Sequence, residues 1–186
     1  MLIRAFIAVV PSSESLNEME KYLSHLRPLA DHKWVNRSGL HVTLRFLGEI
    51  FPKVFEEIMM KLEDVKLAPF RISLDHCGTF PGVARAKVLW ISGETGSSEL
   101  KQLAAQTEQI AVSCGLPPEG KNFSPHLTIA RTRVEGNMPK ELIEAMKDTP
   151  VFSWQCKDFV LMQSQLTPRG PIYTEAKRYQ LLNGGS

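Results

Sequence analysis

The chain of 186 residues has 43% hydrophobic and 23% charged residues, which is typical of a globular protein with one domain or two small lobes. Its formal net charge of +2 permits a nucleic-acid or nucleotide ligand but does not require one. Cys77, Cys114 and Cys156 are odd in number and lie far apart without a CxxC pair. This pattern excludes a disulfide framework and a zinc ribbon, and it favours a reducing cytoplasm.

The N-terminal segment predicts a buried strand followed by an amphipathic helix. Residues 2–10 are apolar on both faces apart from Arg4, as in a central strand covered by helices. This run is too short to span a bilayer and has no small-residue cleavage site, so we expect no targeting or membrane segment. Ser15 and Glu18 have the spacing of a helix capping box, and Pro28 ends the helical pattern.

A second strand and helix follow in the same order. The turn at Ser38-Gly39 leads into a strand over residues 40–47, and Pro52 lies in the first turn of the next helix. Residues 70–75 then alternate apolar and polar side chains, which indicates a half-buried strand. The first half of the chain therefore predicts strand, helix, strand, helix and strand.

The second half predicts the same order of elements. Residues 87–91 form a strand, Gly115 is placed as the C-terminal cap of the following helix, and a strand begins at residue 126. Pro139 opens another helix, and residues 151–163 predict one long strand. A repeat of about ninety residues is longer than the repeats of solenoid proteins, so it favours two duplicated lobes.

We therefore expect an α+β fold of two duplicated, pseudo-symmetric lobes around a central cleft. Residues 1–183 form a single bilobal domain with an approximate internal repeat of residues 1–82 and 83–163. A rigid loop over residues 168–171 precedes a final strand over residues 173–182. Residues 184–186 are a flexible end or a remnant of cloning.

One short pattern occurs twice in the chain. His41-Val42-Thr43 and His126-Leu127-Thr128 each place a histidine and a threonine two residues apart within an apolar run. On an extended strand both side chains of a pair point to the same face, and the apolar neighbours point to the other. If the lobes face each other, His41 and His126 lie on opposite walls of the cleft.

Two imidazoles on either side of one atom suit displacement at phosphorus. At neutral pH one ring can accept a proton from the nucleophile while the other donates a proton to the leaving oxygen. Thr43 and Thr128, on the same faces, can donate hydrogen bonds to the non-bridging oxygens. The pattern alone does not determine which histidine is the acid.

Other chemistries fit the sequence less well. Two histidines without HExxH or neighbouring carboxylates supply too few ligands for a metal, so we expect no metal and no cofactor. GxSxG is missing, and Cys77 and His76 would point to opposite faces of a strand, so a nucleophilic triad is not indicated. GxxxxGK[ST] and GxGxxG are also missing, and a bound nucleoside triphosphate is not predicted.

These residues give the chain a family resemblance along nearly its whole length. The segments that carry it are Arg4-Ala5-Phe6-Ile7-Ala8, Trp34-Val35, Leu40-His41-Val42-Thr43-Leu44-Arg45-Phe46-Leu47-Gly48-Glu49, Phe123-Ser124-Pro125-His126-Leu127-Thr128-Ile129-Ala130-Arg131 and Gly170-Pro171-Ile172-Tyr173. In order and approximate spacing they resemble the two-histidine (2H) phosphoesterases, and among these the RNA 2′,3′-cyclic phosphodiesterase or 2′,5′ RNA ligase family.

The resemblance implies two lobes, each a mainly antiparallel sheet with helices on its outer face, that enclose the central cleft. It also implies a hydrolase that opens an RNA 2′,3′-cyclic phosphate to a 2′-phosphate without a metal, with reversible 2′,5′ ligation as a side activity. By the family pattern, His41 is the proton donor to the 3′ leaving oxygen and His126 is the proton acceptor that activates water. The expected substrate is RNA with a 2′,3′-cyclic phosphate end or a small cyclic nucleotide. A non-catalytic module that binds RNA ends or nucleotide phosphates is the alternative.

Five further residues are candidates for substrate binding. Arg45 has the strand parity of His41, whereas Phe46 and Arg131 each lie five residues after a histidine and need a bulge or twist to turn inward. Trp34 and Tyr173 could stack on a terminal base, although a core role is an open alternative for each. Because the two halves complete the cleft, we expect a monomer with no obligate protein partner and no membrane association.

Overall fold

The structure is a computed structural model that describes residues 1–136, 138–168 and 170–182. Within these residues the chain forms four α-helices and ten strands. The helices are α1 (Ser13–Leu26), α2 (Pro52–Lys61), α3 (Ser97–Ser113) and α4 (Lys140–Lys147). The strands are β1 (Ile3–Val9), β2 (His32–Trp34), β3 (Val42–Ile50), β4 (Phe70–Leu74), β5 (His76–Phe80), β6 (Ala86–Ser92), β7 (Leu127–Gly136), β8 (Phe152–Cys156), β9 (Asp158–Thr167) and β10 (Gly170–Gln180).

Eight strands form one antiparallel sheet in the order β10-β9-β1-β3-β7-β6-β5, with β2 paired to β7, and β4 and β8 form a separate pair. The α+β prediction is confirmed. We call β1, β3, β9 and β10 the β1 lobe, and β2, β5, β6 and β7 the β7 lobe. Between β3 and β7, the described pairing consists of one residue pair, Val42 with Leu127, so the sheet is continuous but the lobes are free to diverge.

The lobes exchange strands between the two halves of the sequence. The order β1-α1-β3-α2-β4-β5 recurs as β6-α3-β7-α4-β8-β9, and β2 and β10 are additions. However, β9 pairs with β1 and β5 pairs with β6, so each lobe contains a strand from the other half. The boundary of the sequence repeat near residue 82 stays a prediction. This boundary does not coincide with the division between the lobes, because each lobe contains strands from both halves of the chain.

The main core lies between one face of the sheet and the helices, which bury residues such as Met19 of α1 and Leu103 of α3 against it. A smaller cluster of Phe6, Ala8, Val160 and Met162 lies on the opposite face and includes no helix residue. We call this uncovered face, which also carries the histidines described below, the site face. Its exposure leaves it available to a ligand.

The helix ends agree only in part with the sequence predictions. Ser12, not Ser15, caps α1: the Ser12 hydroxyl accepts a hydrogen bond from the Ser15 backbone N–H at 3.2 Å. Ser15 is buried and donates to the Ser153 carbonyl at 3.1 Å, so the expected capping box with Glu18 was wrong. Gly115 follows α3 with a φ of +89°, which confirms its prediction as the cap.

The predicted strand over residues 151–163 was wrong in extent. It divides at Lys157 into β8, which pairs with β4, and β9, which pairs with β1 in the large sheet. The Lys157 carbonyl accepts a hydrogen bond from the Leu181 N–H at 2.8 Å, which satisfies the backbone at the break. Gly170, expected in the loop over residues 168–171, already belongs to β10. Residues 169 and 184–186 lie outside the described residues.

None of the described helices combines the length and the apolar composition needed to cross a bilayer. Cys77, Cys114 and Cys156 are all free thiols.

Candidate active site

The bridge between β3 and β7 brings the two HxT motifs together. Val42 and Leu127, the middle residues of the motifs, are antiparallel partners, and both side chains are fully buried in the main core. Their neighbours on each strand therefore point to the site face. Continuing the register by one residue sets His41 against Thr128 and Thr43 against His126. On a regular ladder the two histidines are then diagonal neighbours, about 7–8 Å apart.

Each HxT strand contains a bulge three residues after its histidine. On β3, Ala8 pairs with Thr43 and Ile7 pairs with Arg45, so Leu44 is an extra residue. The register of β7 shifts in the same way between Leu89 and Trp90 of β6, which leaves Ile129 as the extra residue. A bulge reverses the faces to which later side chains point. The two lobes thus share an irregularity that the sequence alternation did not show.

The bulges place Phe46 and Arg131 on the site face, as their prediction required. Phe46 is 57% exposed, and its ring centroid lies 6.1 Å from that of Phe6. Arg131 is exposed; burial is the main cause that lowers the pKa of His126, and the positive charge of Arg131 lowers it further. Two side chains that strict alternation would turn away therefore belong to the site.

The same bulge turns Arg45 away from the site, so its predicted role in substrate binding was wrong. Arg45 is 6% exposed, and its Nη1 donates to the Phe46 carbonyl and to Glu119 Oε1, both at 2.6 Å. Its Nη2 donates to the Pro117 carbonyl at 2.6 Å, and its Nε forms an ion pair with Glu108. These contacts tie β3 to α3 and to the loop that leads to His126.

His41 lies in an aromatic environment. Its ring stacks on Phe6 at a centroid distance of 4.8 Å and meets the edge of Tyr173 at 5.4 Å. Its Nδ1 is buried and has no hydrogen-bond partner in the described part of the chain. Burial disfavours the charged ring and lowers the pKa of His41 to about 4. Without an anion nearby, this imidazole is neutral at neutral pH.

His126 is oriented by a backbone carbonyl. Its Nδ1 lies 2.7 Å from the Ser124 oxygen, which can only accept, so Nδ1 carries the proton and donates. In the neutral ring, Nε2 is then a free acceptor. Burial lowers the pKa of His126, the Ser124 carbonyl opposes this shift, and Arg131 adds to it. The ring of Phe80 meets that of His126 edge-on at 5.1 Å.

The two predicted aromatic residues behave differently. Tyr173 lies on the site face against His41 and Phe6, and it is close enough to Arg131 for that charge to lower its pKa, although burial raises the pKa more strongly. Trp34 packs instead against the main core, and its indole N–H donates to the Ala30 carbonyl at 3.0 Å. The structure therefore shows the core role for Trp34 that the sequence left open as an alternative.

Two site residues did not emerge from the sequence. Phe6 lies within a strand that is apolar on both faces, so nothing in its pattern distinguishes it from a core residue. Trp90 packs on Phe80 at a centroid distance of 5.1 Å, and a Cβ at Gly78 would lie 2.3 Å from its ring. The glycine thus lets Trp90 cross the sheet beside His126. Only strand pairing reveals these neighbours.

Among the described residues, no three His, Cys, Asp or Glu side chains are grouped so that they could hold a metal ion. Two surface cavities lie elsewhere. One of about 170 Å³ is lined by residues of β5 and α4, including Cys77 and Met146. The other, of about 390 Å³, lies beside α1 and is lined by Tyr22 and Phe152 among others. Neither contains a predicted site residue.

Two HxT strands joined at one bridge, within a bilobal α+β sheet, define a two-histidine phosphoesterase. The model of the 2′-5′ RNA ligase superfamily matches residues 12–167, and the chain belongs to this superfamily.

Several proteins similar in sequence to this chain share the name RNA 2′,3′-cyclic phosphodiesterase. The RNA 2′,3′-cyclic phosphodiesterase of Aeropyrum pernix is 38% identical over 143 residues, which cover 76% of this chain and 81% of that protein. The protein of the same name from Aquifex aeolicus is 32% identical over 185 residues, with coverage of 97% and 98%.

Solved structures show the same fold. TT0787 of Thermus thermophilus has a TM-score of 0.80 at 26% identity and covers 98% of this chain and 100% of its own. Apo LigT of E. coli has a TM-score of 0.78 at 24% identity, with coverage of 97% and 98%.

Proposed function

We propose that the protein is a metal-independent RNA 2′,3′-cyclic phosphodiesterase that converts the cyclic end into a 2′-phosphate. The observation that carries this proposal is the pairing of Val42 with Leu127, which sets both HxT motifs on one face of one sheet. Relatives named RNA 2′,3′-cyclic phosphodiesterase cover nearly the whole chain at 32% identity, which supports the same activity here.

The hydrogen bonding of the two rings supports the assignment of acid and base. Because the Nδ1–H of His126 is held by the Ser124 carbonyl, its Nε2 is the nitrogen free to take a proton from water as that water attacks phosphorus. The P–O3′ bond breaks, and His41 then supplies the proton that the departing O3′ requires. The products are a 2′-phosphomonoester and a free 3′-hydroxyl.

His41 must be protonated before it can act as the acid. Its aromatic surroundings keep the ligand-free ring neutral, with a pKa of about 4. An anionic cyclic phosphate beside the ring favours the imidazolium and raises this pKa. Substrate binding thereby favours protonation of His41, the residue that donates a proton to the leaving O3′. Because the ligand-free ring has so low a pKa, the His41 imidazolium gives up its proton readily.

Thr43 and Thr128 complete the phosphate site. Both hydroxyls share the site face with the histidines, and each can donate a hydrogen bond to a non-bridging oxygen. Arg131 adds a positive charge near His126 and Tyr173. Tyr173, with Phe46 and Phe6, offers aromatic surface for the terminal base or ribose.

The proposal is tested by incubating the protein and EDTA with a dinucleotide that ends in a 2′,3′-cyclic phosphate. We expect a 2′-phosphate product, and a loss of at least about 100-fold in kcat in each of His41→Ala and His126→Ala. Binding without turnover in the wild type would make the protein an RNA-end binding module. Activity that EDTA abolishes would show that the reaction depends on a metal.

We extend the proposal to reversible 2′,5′ ligation, to a cytoplasmic location and to a monomer that acts alone. Ligation is the same displacement with the 5′-hydroxyl of another RNA strand as the nucleophile in place of water: the P–O5′ bond forms as the P–O3′ bond breaks, and attack of the freed 3′-hydroxyl on the new linkage reverses it. Incubating two strands, one with a cyclic end and one with a 5′-hydroxyl, and digesting the product with a nuclease specific for 3′,5′ linkages would detect it. A product that this nuclease cleaves completely would refute 2′,5′ ligation.

A further inference from the structure

Two cations oppose each other beside the active site. Lys33 of β2 is the antiparallel partner of Arg131 of β7, and both are exposed. Directly opposed residues of two strands point to the same face, so Lys33 shares the site face with Arg131. Its neighbour Trp34 points the other way and packs against the main core.

Two residues away, just before β2 begins, opposite charges face each other in the ordinary arrangement. There, Asp31 and Arg133 form an ion pair in which Arg133 Nε lies 3.0 Å from Asp31 Oδ1. By contrast, Lys33 and Arg131 are like charges in direct opposition, which destabilises a sheet. Within the described residues, neither has a carboxylate oxygen within 4.0 Å. An external anion would relieve this repulsion.

The position of the pair relative to the histidines identifies the anion. Arg131 lies three residues beyond Thr128 on β7 and, because of the bulge at Ile129, on the same face, so it borders the site of the cyclic phosphate. Lys33 lies on the neighbouring strand β2, about 4.8 Å across the sheet from Arg131. The next anion along an RNA chain is the phosphodiester on the 5′ side of the terminal nucleotide, and a cyclic mononucleotide has no such group.

We propose that Lys33, together with Arg131, binds this neighbouring phosphodiester, so that the enzyme prefers RNA ends to free cyclic mononucleotides. This inference rests on the proposed function and specifies its substrate class. Lys33 contributes affinity for the RNA chain and takes no part in proton transfer.

The test compares kcat/KM for a 2′,3′-cyclic mononucleotide with that for a dinucleotide carrying the same cyclic end. In Lys33→Ala we expect the preference for the dinucleotide to fall about tenfold, as for the loss of one charge-assisted hydrogen bond. The slope of log KM for the dinucleotide against log salt should fall by about 0.7, the value for one phosphate contact on a single strand. Lys33→Arg should keep most of the preference.

The matched control is the double variant Asp31→Asn, Arg133→Gln, which neutralises the adjacent ion pair without changing the net charge. It should keep both the preference and the salt slope. The inference is overturned if Lys33→Ala keeps the wild-type preference, or if the control lowers it equally. If the wild type hydrolyses both substrates and Lys33→Ala leaves the preference for the dinucleotide unchanged, this inference alone is overturned. If the wild type hydrolyses neither substrate, the proposed function is overturned as well.

Discussion

His41 and His126 are both kept neutral by their surroundings, but the surroundings differ. His41 is enclosed by Phe6 and Tyr173 and has no partner for Nδ1 among the described residues, whereas His126 donates from Nδ1 to the Ser124 carbonyl. Two rings of one residue type therefore differ in the ease with which they become charged. Such a difference is what a reaction with one acid and one base requires.

The lowered pKa values predict an acidic optimum for kcat/KM. This parameter reports the ligand-free enzyme, and the active form has one neutral and one protonated imidazole. The pKa of His41 is about 4 and that of His126 lies below its ordinary value of 6.5, so activity should fall below the lower pKa and above the higher one. We expect a bell-shaped profile with its maximum below pH 6.5.

Bound phosphate raises both pKa values, so the optimum for kcat should lie at higher pH than that for kcat/KM. Steady-state rates between pH 3.5 and 9 at constant ionic strength would measure both profiles. A kcat/KM maximum above pH 7, or a flat profile with chemistry limiting, would contradict the paired-imidazole mechanism.

At the scale of the strand, the bulges at Leu44 and Ile129 decide which side chains reach the substrate. The sequence predicted both HxT strands and the face of each histidine, because side chains alternate regularly between the two faces over the three residues of each motif. It did not predict the fate of Arg45, because Leu44 is an ordinary apolar residue and a bulge depends on how the partner strand pairs. Ala130, the counterpart of Arg45 on β7, is also buried.

Arg45 should therefore contribute to stability rather than to substrate binding. In Arg45→Met we expect the free energy of unfolding to fall by about 3 kcal/mol, because Glu108 and Glu119 lose a buried cation. Urea denaturation would measure this change. Arg133→Met, which breaks an exposed ion pair, is the control and should cost less than about 1 kcal/mol. If Arg45→Met is as stable as the wild type but has a raised KM, the result would support the direct contact between Arg45 and substrate that strand parity predicted.

At the scale of the whole molecule, the exchange of β5 and β9 makes the lobes interdependent. Periodicity and breakers predicted the order of helices and strands and the repeat within it, since these are local properties of the sequence. They did not predict that β9 joins β1 or that β8 and β9 enter different sheets, since strand partners are chosen by contacts between distant residues. The described bridge of Val42 with Leu127 joins the lobes at the two HxT motifs.

Strand exchange predicts that neither half of the chain folds alone. A fragment of residues 1–82 lacks the partners of β4 and β5, and a fragment of residues 83–182 lacks β4, the partner of β8, and β1, one of the two partners of β9. We expect both fragments to show the narrow amide chemical-shift dispersion of unfolded chains by NMR, and the intact protein to unfold in one transition. A fragment with dispersed resonances and a cooperative transition of its own would contradict this account.

The central claim is that one phosphate contacts both imidazoles, and NMR observation of their ring nitrogens tests it most directly. The wild-type protein would be titrated with a nucleoside 2′-phosphate, the product of the proposed reaction. We predict that the resonances of His41 and His126 shift together with a single Kd and that both pKa values rise at saturation. A shift of only one ring, or two different Kd values, would contradict the claim.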